Sequence, residues 1–78
     1  MILDFKEEGF KFMTIDQKKQ IIQSEIDNYE AGVYMLTIRA KVAKTLNDAN
    51  MTAAIVLEMT RHETALDTLK KEMAEIKE

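Results

Sequence analysis

The spacing of its core-type residues constrains this chain more than any other feature. Ile22, Ile26, Tyr29, Val33, Leu36, Ala40 and Ala43 recur at intervals of three and four, and so do Ile55, Met59, His62, Leu66, Leu69, Met73 and Ile76. Stripes of that period belong to amphipathic α-helices, because residues three and four apart share one helix face. Between the stripes stands Asn47-Asp48-Ala49-Asn50, a polar break too short to separate two domains. The expected fold is therefore all-α, an antiparallel hairpin of two long helices.

Local signals place the boundaries. Thr14 and Gln17 have the spacing of a capping box, in which each side chain meets the other residue's backbone N–H. The first helix is expected over about 14–46, and nothing interrupts it, since the chain has no proline. Gly32 costs about 1 kcal/mol relative to alanine in a helix interior. It reads as a tolerated glycine at a close helix crossing rather than as a break. The second helix is expected over about 50–77, capped by Asn50 or Thr52, with Lys70, Lys71 and Lys77 near the end where cations oppose the helix dipole. Pivoting the hairpin at Asp48 sets Leu36 opposite His62 and Tyr29 opposite Leu69.

Residues 1–13 follow another pattern, with Leu3, Phe5, Phe10 and Phe12 around Glu7-Glu8-Gly9. Either a small β-hairpin or an irregular hydrophobic arm fits them. Met13 stands directly before the capping box, which admits a natural start there, with residues 1–12 an upstream extension.

Both helices carry more apolar surface than a hairpin needs. A second stripe on the first helix, Ala31, Met35, Ile38, Val42 and Leu46, points almost opposite to the first stripe at about 100° per residue. Met51, Ala53, Ala54, Val56 and Leu57 are the surplus on the second helix. A chain of 78 residues without cysteine has no disulfides to reinforce its small core. Self-association is the expected answer: a homodimer packed as a coiled-coil-like four-helix bundle, with Met35, Ile38, Val42, Leu46, Met51, Ala54 and Leu57 at the oligomer or partner interface. Alanines 40, 43, 49, 53 and 54 would let backbones approach there. The competing arrangement is a monomer in which the arm with Phe5, Phe10 and Phe12 covers the second stripe.

Several function classes find little support. Fourteen acidic and eleven basic side chains, net charge −3, are interspersed along the chain and demand no polyanion. The longest apolar run, Ala53-Ala54-Ile55-Val56-Leu57, is far short of the about 20 residues that cross a bilayer. Residues 1–12 include Asp4, Glu7 and Glu8 and do not read as a secretory signal, so no membrane contact is expected and the cytoplasm is the default location. His62 follows Glu58 by one helical turn, a spacing that can share a metal. A lone histidine on an apolar stripe is more often a hydrogen-bonded core residue, and no metal or other cofactor is expected. Ser24, the single serine, lies far along the chain from His62, and Gly9 and Gly32 are too isolated for a phosphate loop, so no catalytic residues are assigned and no enzyme is expected.

Two functions remain. The first is a non-enzymatic structural or adaptor protein that binds itself and an unidentified protein through helix packing, with the surplus near the turn as contact surface. The alternative is an RNA-type nucleic-acid-binding regulator, with Arg39, Lys41, Lys44 and Arg61 gathered near the turn and Tyr34 adding stacking.

Overall fold

In the computed structural model, which describes residues 13–76, the chain is a hairpin of two helices with no strand among those residues. Helix α1 spans Ile15–Leu46, 32 residues without a break, and α2 spans Ala49–Glu75, 27 residues. Residues 1–12 of the expected arm over 1–13, and Lys77, lie outside the described residues.

The capping box forms as the sequence predicts. Gln17 donates its backbone N–H to Thr14 Oγ1 at 3.0 Å, and the Thr14 N–H donates to Gln17 Oε1 at 2.8 Å. Two of the orphan donors at the start of a long helix are thereby satisfied.

The turn is tighter than the four-residue break suggested. Asn47 adopts the left-handed conformation, φ 55° and ψ 41°. Its N–H then donates to Lys44 O at 3.1 Å and the Asp48 N–H to Ala43 O at 3.0 Å. That pair of bonds is the Schellman ending, and asparagine tolerates the left-handed region better than other side chains that carry a Cβ. Asp48 is already the cap of α2, accepting from the Met51 N–H at 3.0 Å. The expectation of a cap at Asn50 or Thr52 is thus corrected: α2 starts at Ala49, and Thr52 instead donates its hydroxyl to Asp48 O at 3.0 Å. A carboxylate one residue after the left-handed asparagine can both end the turn and open the next helix.

The helices meet along a narrow seam. Leu36, Ala43 and Ile55 form a buried cluster with Ala40, Met51 and Met59 packed against it, and Ile26 is buried further from the turn. Ala43 is fully buried, so its small side chain is what lets the helices approach beside the turn. Ala49, Ala53 and Ala54 are exposed and do not serve a close approach within the chain.

Lys70 reaches Glu30 at 4.0 Å, beside the expected Tyr29–Leu69 pair, while the contact of His62 lies about one turn from the expected one. His62 packs over Gly32, one turn before the Leu36 expected opposite it, and its ring meets the Tyr29 ring edge-on, centroids 5.3 Å apart. The C-terminal lysines are also placed differently. No basic residue falls in the last turn of α2; Lys71 instead pairs with Asp67 at 3.0 Å, and Lys70 reaches Glu30 on α1 at 4.0 Å. All four side chains are exposed, so these pairs are worth at most about 1 kcal/mol each.

The corrected cap generates a direct test. Asp48→Ala is expected to destabilise the hairpin by about 1 kcal/mol, whereas Asn50→Ala has little effect; thermal unfolding of the two variants checks which residue caps α2.

Candidate functional site

The second stripe of α1 is on the surface, as its spacing requires. Leu36 and Ala43 face α2, and at about 100° per residue Met35, Ile38 and Val42 point to nearly the opposite side. Met35 is 53% exposed, Val42 44% and Leu46 64%. Ala31 is exposed in the same row, and Ile21 and Tyr34 border it as further large exposed side chains. Of these, Ile21 was not expected from the sequence; it follows the polar run Asp16, Gln17, Lys18, Lys19 and Gln20, and its neighbour Ile22 belongs to the inner stripe, which hides the continuation of the row.

The expected interface residues on α2 divide. Met51 is half-buried against Leu36, Ala43 and Ile55, within the chain's own seam. Ala54 and Leu57 are exposed, as is Val56. Leu57 comes two residues after the buried Ile55, hence about 200° around the helix, and looks away from α1. The structure therefore has two outer apolar surfaces, a long one on α1 and a short one on α2, instead of one patch beside the turn.

The threonines lessen the polarity of these outer faces. Thr37, Thr45, Thr60 and Thr64 each donate the hydroxyl to the carbonyl four residues earlier, at 2.9 to 3.1 Å. Their donors are used inside the helix and do not call for an external partner.

Arg39, Lys41, Lys44 and Arg61 are all exposed; Lys41 and Lys44, three residues apart, share a face, and Arg39 does not join them. Arg39 and Lys41, two residues apart, fall on opposite flanks of the α1 stripe. Arg61 is paired with Glu58 at 2.9 Å. A backbone-tracking basic groove needs its cations in a row, and within α1 only Lys41 and Lys44 are so placed.

His62 sits in a cradle built by three residues. Its Nδ1 lies 2.8 Å from Glu58 O, and since a carbonyl can only accept, Nδ1 carries the proton. Nε2 and Cδ2 then face Gly32: a Cβ at that position would stand 2.6 Å and 2.7 Å from them. Tyr29 closes the other side of the ring, with the planes at 74°. Gly32 is thus the glycine of a close crossing, as expected, and the partner requiring it is an imidazole. The Glu58 carboxylate is directed to Arg61, not to His62, and no cluster of three histidine, cysteine, aspartate or glutamate side chains is found among the described residues. Ser24 is exposed, two turns before Gly32 on α1 and so about 12 Å along the axis from the His62 cradle.

No protein family matches the chain, and no curated protein or solved structure matches it. The geometry of the outer faces therefore carries the functional reading.

The cradle makes a counter-intuitive prediction. Gly32→Ala should lower the unfolding midpoint, although alanine is the better helix former by about 1 kcal/mol, because His62 must leave its bond to Glu58 and its contact with Tyr29. In a His62→Ala background the same substitution should stabilise; a double-mutant cycle by urea unfolding measures the reversal.

Proposed function

We propose that this protein is a non-enzymatic association module: two copies pack their surplus helix faces together as a four-helix bundle, and the assembly serves as a structural or adaptor element for another protein. One observation carries the reading, the row of Met35, Ile38, Val42 and Leu46 left exposed on the side of α1 turned away from α2.

The energetics support it. Among the described residues only Ile26, Leu36, Ala43 and Ile55 are buried. Each large one stabilises by about 1.5–3 kcal/mol. Ordering the backbone opposes this with about 1–2 kcal/mol per residue, so a seam this thin gains from a second layer. Dimerisation that covers the α1 row would add apolar burial with no further chain to order. The short surface around Val56 and Leu57 on α2 then stays available, and an amphipathic helix of another protein is the kind of partner that fits an apolar strip of this size.

The cysteine-free composition suits a reducing compartment such as the cytoplasm. No helix among the described residues is long and apolar enough to cross a membrane.

At micromolar concentration the protein is expected to sediment at twice the 9.0 kDa chain mass. Ile38→Asp should weaken that dimer by at least about tenfold, the equivalent of 1.4 kcal/mol. Leu57→Asp should leave it intact. A species that stays at the chain mass, or a dimer broken by Leu57→Asp and not by Ile38→Asp, would refute the assignment of the α1 face.

A further inference from the structure

We propose that the bundle is held by α1 against α1 of a second copy, antiparallel, with the two-fold axis at the level of Val33; this rests on the self-association reading and specifies its partner surface and register. Ser24, Asn28, Ala31, Met35, Ile38 and Val42 follow one another at alternating spacings of four and three, the period of a coiled-coil seam. The row is tapered. After Ile21, its small or polar members, Ser24, Asn28 and Ala31, occupy the first half, and the large apolar Met35, Ile38 and Val42 the second.

Taper selects the orientation. In a parallel pair Val42 would meet Val42 and Ser24 would meet Ser24, so the helices would be forced apart at one end and underpacked at the other. Antiparallel about Val33, every layer matches a large side chain with a small one: Met35 with the partner's Ala31, Ile38 with the partner's Asn28, Val42 with the partner's Ser24. The interaxial distance is then uniform, which helix packing favours.

Charge selects the same register independently. Glu25 and Arg39 follow the row on one flank, and Asp27 and Lys41 precede it on the other. All four are exposed, and among the described residues none of them is in an ion pair. In the antiparallel arrangement like flanks meet, so Glu25 comes opposite the partner's Arg39 and Asp27 opposite the partner's Lys41. Each contact occurs twice by symmetry, and all are attractive. A parallel pair joins opposite flanks and brings Asp27 to the partner's Gly32 and Lys41 to the partner's Leu46, with no complementary pair. Slipping the antiparallel pair by one heptad toward the C-terminal half brings Asp27 opposite the partner's Asp48, a repulsive contact. Tyr34 lies beside the axis and would pack near the partner's Tyr34, which gives its exposed ring a neighbour.

The chain contains no cysteine, so introduced thiols report the register directly. Ser24→Cys and Val42→Cys chains are mixed, oxidised mildly, and weighed intact. The expected result is the mixed disulfide between residues 24 and 42, in excess over either homodisulfide. A dominant Val42–Val42 position homodisulfide in a species that sediments as a dimer overturns the antiparallel register while leaving self-association standing. A wild-type chain that remains monomeric by sedimentation overturns both. As a second reading, Lys41→Glu should weaken the dimer by about tenfold, and combining it with Asp27→Lys should restore it. Loss without restoration overturns the Asp27–Lys41 pairing and with it the register.

Discussion

The reversal at Asn47 and Asp48 is the constraint on which the rest of the hairpin depends. A left-handed asparagine ends α1 by satisfying its last carbonyls, and the next side chain opens α2 by accepting from Met51. With only two residues between the helices, their directions, their spacing beside the turn and their register are all set together. Ala43 is the packing counterpart of this turn: any larger side chain at a fully buried position so close to the reversal would push α2 away.

A second constraint acts further along the seam, where the imidazole of His62 lies on the bare backbone of Gly32 and against the edge of Tyr29. Leucines and isoleucines can slide past one another at small cost. An aromatic ring tied to Glu58 O and seated over a glycine cannot, because every other helical position of α1 presents a Cβ to it. The turn and the cradle thus pin the same register at two levels. That division of labour explains why the only histidine and the only glycine among the described residues face each other. A structural role accounts for both, and neither needs a ligand.

With the inner seam so defined, the outer face of α1 becomes the surface with meaning. Its apolar row is long, tapered and flanked by charges whose signs are ordered along the helix. Such a face differs from a scatter of exposed hydrophobics, which most soluble proteins tolerate. The short apolar surface of α2, at Val56 and Leu57, is separate from it, so the hairpin exposes two distinct apolar surfaces.

Period, caps and breaks are local properties, so the sequence by itself determined both helices, the capping box at Thr14 and Gln17, the continuity of α1 through Gly32, and the exposure of Met35, Ile38 and Val42. Everything that turned on the relation between the helices was decided by tertiary structure. Asp48 and not Asn50 caps α2 because the left-handed Asn47 shortens the loop, and His62 comes to lie over Gly32. Met51 joins the inner seam because it stands four residues before Ile55 and shares its face, and Arg39 and Lys41 fall on opposite flanks because they are two residues apart; both are helix periodicity already present in the sequence. A one-dimensional pattern records which face of a helix is apolar; where that face lands depends on a turn whose backbone conformation only the folded chain selects.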